Sequence, residues 1–468
     1  MGLFNRSPRE PQDPAVAFEA PQLGAEPATD ELGRRSLGDH SQYVLGVIQP
    51  LAPFGMSLMD AWGHTLCEDL KAYGDVPPVP VAEVDGFGIY YGDWAARAGA
   101  HPVFALVDAP RRAGDLMADA PIPEEEQVTT QITVSSEQPT PPRSVLVGYA
   151  IRVWAGEELP DGVDTVLSPG QVVLDDTGRY ITVLSKVAEG DWVRPPLAEA
   201  TDGALVLAAG TELDARHSAL LAAVGFGRVM VRPRTRVAAV QVVDTSGEVP
   251  FNGGRAPGVG LHLINGAAQA DGATVYRVEV DLAALEASRE RLSDELIRAD
   301  LVLTIGGMTD EGIDPRLVTM LNDMGVVNVC EVAVKPGRLH GVGLIGDEFT
   351  PVVMLPSDPT ALLVAYHAFA RPALRKLMGA EPFEHEPILC FAERDLDAEL
   401  GVTQLIPVRL RQAGNRYMAS EITSRTHSWL TTLVAADALV VLPPNRQRVY
   451  TGEALACWLL GDALIAAE

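Results

Sequence analysis

Between residues 233 and 379, near-continuous apolar runs alternate with amphipathic helical windows, which restricts this segment to a sheet covered by helices on both faces. The runs VAAVQVV, TVYRVEV, DLVLTIGG, VVNVCEVAV and PVVMLP read as strands. Between them LAALEASRERLSDELIRA and DPRLVTMLNDMG carry helical spacing. The expectation is a parallel αβ sheet with ligands at the carboxyl ends of its strands.

The flanks follow other rhythms. Residues 1–36 are rich in proline and mixed charge and predict a disordered tail, with Phe18 and the LeuPheAsn start open to a contact role. Residues 37–72 read as helix, with Leu58, Trp62, Leu66 and Leu70 at four-residue spacing. From 76 to 185 short β segments lie between Pro/Gly turns, predicting a projecting β lobe with too little core to stand alone. Residues 37–75 and 186–232 form a linking subdomain, 233–379 the αβ domain, and 380–468 a terminal β subdomain. The fold class is thus α/β plus β, and 468 residues suit about two to four domains.

With 36 Lys+Arg against 63 Asp+Glu, a formal charge of −27 argues against nucleic acid or an anionic membrane as partner. Cys67, Cys330, Cys390 and Cys457 have no metal spacing and read as buried free thiols. No run of apolar residues is long enough to span a bilayer, and the start lacks a signal-peptide core, so the expected location is cytoplasmic.

Several strand-end loops carry chemistry. In LTIGGMTDEGID, Gly306 and Gly307 suit either close ligand approach or tight packing, and Thr309, Asp310, Glu311 and Asp314 follow. Such carboxylates suit Mg²⁺, or else simply cap the helix that Pro315 opens. Lys335 and Arg338 flank Pro336–Gly337 and suit a phosphate or nearby acids. LPSDP is a helix start, with Ser357 or Asp358 as cap and Pro359 in the first turn. Asp85 before Gly86 reads as a turn.

The ordered set VDGFGI, RVWAGEELPDGVDTV, GTELDARHSALLAAVGFGRVMVRPRTRVAAV, IGGMTDEGID, VKPGRLHGVG and LPSDP resembles the molybdopterin molybdenumtransferase (MoeA) family, which includes the E domain of gephyrin. The resemblance covers 37–468. It implies an elongated homodimer that binds adenylylated molybdopterin, hydrolyses the adenylate and inserts molybdate with Mg²⁺. By matching position, Asp85, Glu248, Asp314 and Lys335 would be catalytic, the first three also holding the metal. Gly306, Gly307, Thr309, Lys335, Arg338, Pro356 and Pro359 would contact the cofactor.

Departures from the family pattern are also visible. Ala155 removes a hydroxyl, and Glu199 and Gly247 replace aspartates. Gly258–Val259–Gly260 stand for an Asp-Thr/Ser-Asn triplet, Asp310–Glu311 for Val-Gly, Arg338–Leu339 for Lys-Pro, and Ser357–Asp358 for Gly-Asn. Displacing a group by about 1 Å can cost ~10²-fold in rate, so the expectation is weakened or lost molybdenum insertion. The leading reading is then a gephyrin-like scaffold binding a partner's tail peptide, from a tubulin-like division protein or a membrane receptor, with recruitment to the division site or membrane. Leu430, Leu433, Pro443, Pro444 and Tyr450 would line its groove. The alternative is an active transferase.

Overall fold

The computed structural model describes residues 23–74, 76–77, 79–97, 101–107, 145–196, 200–246, 258–422 and 433–461. These fall into two units, one comprising the chain up to Glu68 with 209–218 and 228 onward, the other 69–208 with 219–227.

In the first unit, Ser36 caps helix α1 (Leu37–Val47) by accepting the Asp39 N–H. The preceding residues are not the expected loose tail. Arg35 is fully buried, its backbone bonds Glu331 and Ala333, and its guanidinium meets Glu26 at 2.8 Å. The remaining tail reading, 1–22, lies outside the described residues. The helix expected through residue 72 ends at Val47. Phe54–Ser57 and Thr65–Leu66 instead pair with Arg228–Arg232, and Trp62 is exposed. Pro50, Pro53 and a left-handed Gly63 break the helix that leucine spacing suggested.

The αβ domain runs β1 (Arg236–Val243), α2 (Val259–Ala270), β2 (Thr274–Asp281), α3 (Leu285–Leu296), β3 (Leu301–Ile305), α4 (Pro315–Met324) and β4 (Gly325–Glu331). It continues through β5 (Val334–Lys335), β6 (Leu339–Ile345), β7 (Thr350–Leu355), α5 (Pro359–Ala365), a π turn at Tyr366–Ala370 and α6 (Arg371–Met378). The sheet order is β2–β1–β3–β7–β6–β4. It is mixed rather than wholly parallel, because β6 pairs antiparallel with both β7 and β4. The glycines of HGVGLIG conceal this strand, yet they make it possible: a Cβ on Gly343 would lie 2.3 Å from the Val326 carbonyl oxygen. Since β6 alone is reversed, β1, β3, β7 and β4 all deliver their carboxyl ends to one edge. One face buries Leu303, Leu355, Leu362 and Phe369, the other Val302, Leu317 and Met354.

The terminal subdomain is β8 (Ile388–Ala392), β9 (Thr403–Ala413), β10 (Arg416–Glu421), β11 (Ala438–Leu442) and β12 (Ala454–Leu459). The order β9–β10–β8–β12–β11 closes back on β9 as a small barrel, and β5 joins β9 in parallel. Cys390 and Cys457 are buried free thiols within it, whereas Cys67 and Cys330 are free and only half-buried.

The second unit holds a six-stranded sheet in the order Thr165–Leu167, Gly86–Ile89, Tyr149–Val153, Val103–Val107, Tyr180–Val183, Val172–Leu174. The expectation of too little core is corrected here. Ile89, Phe104, Leu167 and Ile181 fill one cluster, and Ile151, Val153, Leu159 and Val166 another. The expected strand at VTTQITV lies outside the described residues. Among the described residues no helix is long and apolar enough to cross a membrane.

Candidate ligand site at the strand ends

Register places the ends of β3 and β7 side by side, Ile305 opposite Leu355, with Gly306 donating its N–H to the Leu355 carbonyl. Gly306 and Gly307 have φ +101° and +72°. A Cβ on Gly307 would meet Leu317 Cδ2 at 2.7 Å, and one on Gly306 would meet the Val242 carbonyl oxygen at 3.2 Å. Of the two roles open to these glycines, tight packing is the one their surroundings require.

The chain then makes a small hairpin, Met308–Thr309 against Gly312–Ile313. The Thr309 hydroxyl stays inside it, accepting the Glu311 N–H. Three loops meet here. Ser357 donates both its N–H (2.9 Å) and its hydroxyl (2.8 Å) to the Met308 carbonyl. Arg338 donates its backbone N–H to the Asp310 carboxylate (2.9 Å) and its Nε–H to the Asp310 carbonyl (2.8 Å). Gly337, at φ +81°, lies so close to α5 that a Cβ would stand 2.8 Å from Ala361 Cβ and 3.6 Å from Pro356 Cγ. Beneath the loop, buried His340 Nε2 bonds the Gly337 carbonyl, and burial pulls its pKa down to about 4. Of the residues that depart from the family pattern, Asp310 is therefore bonded to Arg338, and Ser357 to the Met308 carbonyl.

Pro356 and Pro359 lie on either side of Asp358, which caps α5 by accepting the Thr360 and Ala361 N–H groups. Lys335 is exposed and meets exposed Glu399 at 3.1 Å. Asp85, in the second unit, accepts the Ala155 N–H at 2.8 Å. A Cβ on neighbouring Gly86 would sit 2.2 Å from the Leu167 carbonyl oxygen, so the glycine is required by the sheet itself. Glu248, Gly247 and Glu199 lie outside the described residues. Gly258 precedes α2, and Gly260 lets that helix pack on Ile305 and Leu362.

Asp314 caps α4 by accepting the Arg316 N–H at 2.9 Å. Its carboxylate also takes Arg316 Nε at 3.1 Å and Nη2 at 2.7 Å, and the same Nη2 donates to Asp244 at 2.7 Å. Both carboxylates are buried, with 3% and 4% of their side chains exposed. Bonding to Arg316 holds Asp314 below the usual carboxylate range. Ser246, then Arg316, holds Asp244 down to about 2. The Mg²⁺ implied for Asp314 does not fit these residues, because each Asp314 oxygen already faces Arg316. Among the described residues no three His, Cys, Asp or Glu side chains converge as a metal cluster.

Asp244 and Arg316 were not singled out from the sequence. A signal existed for the arginine: a cation in the first helical turn opposes the helix dipole and so implies a carboxylate beside it.

The residues expected to line a partner groove are spread along the terminal subdomain. Leu433 precedes β11 and Pro443–Pro444 follow it, so five strand residues, about 16 Å of chain, separate them. Tyr450 is exposed under Arg448, and Leu430 lies outside the described residues.

Fold and site together define a MoeA-like protein. Residues 35–225 match the MoeA N-terminal region (domain I and II) and residues 392–460 the MoeA C-terminal region (domain IV). The chain belongs to the MoeA family. It is 26% identical over 410 residues to molybdopterin molybdenumtransferase 1 of Mycobacterium tuberculosis, covering 86% of this chain and 93% of that protein. It is 25% identical over 443 residues to molybdopterin molybdenumtransferase 2 of the same organism, covering 91% and 99%. Two structures of the molybdopterin biosynthesis MoeA protein of Pyrococcus horikoshii share its fold, with TM-scores of 0.68 and 0.63 at 19% and 20% identity. They cover 92% and 91% of this chain and 100% of each structure.

Proposed function

We propose that this chain works in molybdenum cofactor biosynthesis as a molybdopterin molybdenumtransferase, holding a phosphorylated pterin at the strand-end loops. The observation that carries the reading is the meeting of the 306–314, 335–338 and 356–359 loops where β3, β7 and β4 end. The near-full-length likeness to proteins named for that activity supports it. No comparable observation favours the scaffold.

Lys335 is the group we assign to an anionic ligand. Its ion pair with Glu399 is exposed on both sides, and such pairs are worth about 0–1 kcal/mol, so a phosphate can displace the carboxylate. Arg338 is fixed by Asp310 and serves to hold the loop in place. No chemical step is assigned to Asp314, whose carboxylate is engaged by Arg316.

The test is restoration of a molybdoenzyme activity in a bacterial strain lacking its own transferase. The full chain should restore it, and Lys335→Ala should weaken pterin binding about ten-fold, as expected for one charge-assisted hydrogen bond. Gly337→Val should abolish restoration, since its side chain forces the 335–338 loop off α5. A folded, well-expressed chain that restores nothing overturns the proposal.

A further inference from the structure

We infer that Arg316 is a resident cation standing in the place of a divalent ion, so that the carboxylates of Asp244 and Asp314 are neutralised without metal. The inference rests on the molybdenumtransferase reading only for the expectation that a metal would bind near Asp314. The geometry is that of a shared counter-ion. Nη2 carries two hydrogens and sits 2.7 Å from Asp244 Oδ2 and 2.7 Å from Asp314 Oδ2. Nε and the Arg316 backbone N–H both reach Asp314 Oδ1, at 3.1 and 2.9 Å.

The two acids arrive from different places in the chain, Asp244 just after β1 and Asp314 at the start of α4. Two nearly buried carboxylates facing each other need a positive charge between them, and Ser246 neutralises nothing although it donates to Asp244 at 2.6 Å. Hard cations such as Mg²⁺ are held by this kind of oxygen pair, completed by water or ligand oxygens. A guanidinium supplies the charge with fixed, directional bonds and cannot be lost to a chelator. In losing an exchangeable ion, the site also loses the Lewis acid that ion would provide.

The experiment uses the full chain and Mn²⁺ alone, with no pterin, so its outcome is independent of complementation. Mn²⁺ is titrated against wild type, Asp314→Asn, Arg316→Gln, Arg316→Lys and the double variant Arg316→Gln/Asp314→Asn, with free Mn²⁺ read by electron paramagnetic resonance. Wild type and Arg316→Lys should show no binding that depends on Asp314. Arg316→Gln should bind Mn²⁺ at least ~10-fold more tightly than wild type, because the freed carboxylates form a hard-cation donor pair. The double variant should lose that gain. If Arg316→Gln is less stable, Mn²⁺ should raise its melting temperature and leave that of wild type unchanged. The inference is overturned if Asp314→Asn removes Mn²⁺ binding from the otherwise wild-type chain. It is equally overturned if Arg316→Gln gains neither binding nor metal-dependent stabilisation.

Discussion

Acidification from pH 7 to pH 4.5 should strip several kcal/mol from the first unit, before most carboxylates titrate. The cause is a set of histidines folded in the neutral state. Burial lowers His340 to about 4 and His367 and His385 to about 3, and it places His40 well below its ordinary value. His367 Nδ1 and His385 Nε2 stand 2.9 Å apart, a hydrogen bond that two imidazolium rings cannot share. Trp458 stacks on His385, and Arg371 adds like charge against both rings. The unfolded chain therefore binds more protons than the folded one from about pH 6.5 down to the folded values, and stability falls as pH falls through that window. One unit of depression is worth about 1.4 kcal/mol, or roughly 3 kcal/mol for fully buried His340. Urea unfolding at pH 7, 5.5 and 4.5 measures this, and His367→Phe with His385→Phe should flatten part of the slope. A pH-independent urea midpoint would contradict the assignment.

Leu303→Ala should destabilise the same unit by about 2–5 kcal/mol, a large share of the ~5–15 kcal/mol that holds a domain folded. Leu303 lies in β3, the strand between β1 and β7, and is wholly buried among Val237, Leu355 and Leu362. No neighbour on a central strand can collapse into the space left by its isobutyl group, so the cavity cost adds to the lost burial. Leu389→Ala in β8 is the control, since that side chain is 60% exposed and its loss should shift the unfolding midpoint little. Equal effects would mean that the αβ core tolerates repacking.

The parts of this fold legible in the sequence are those governed by local chemistry. Both Asp-Pro helix starts form as expected, Asp314 and Asp358 each accepting hydrogen bonds from N–H groups of the first turn. The apolar runs of the αβ domain form strands as expected, β1, β3 and β7 buried along most of their length and β2 and β4 only in part. What failed depended on distant pairing. Leu58, Leu66 and Leu70 share a helical spacing, yet all three are buried in turns and short strands. The HGVGLIG strand offers too few side chains to register as one, because its glycines serve the close passage of neighbouring backbone. At the site, the convergence of three loops was readable, whereas the partners within it were not. Asp310 as an acceptor for Arg338, and Arg316 as the bridge from Asp314 to Asp244, join residues 28 and 72 positions apart at their widest.

β5, only Val334 and Lys335, leaves the αβ sheet edge and pairs in parallel with Thr403 and Gln404 of the barrel. Lys335 also meets Glu399 of the same subdomain. Lys335, the residue proposed to meet an anionic ligand, is thus anchored in one module while the glycine two residues later is wedged against a helix of another. A small rotation of the barrel would act as a lever on the proposed anion contact, changing affinity without displacing the 306–314 or 356–359 loop. Truncating the chain at the end of the αβ domain would for the same reason unseat Lys335 along with the module removed, so loss of function on truncation reports the missing lever as much as a missing binding surface.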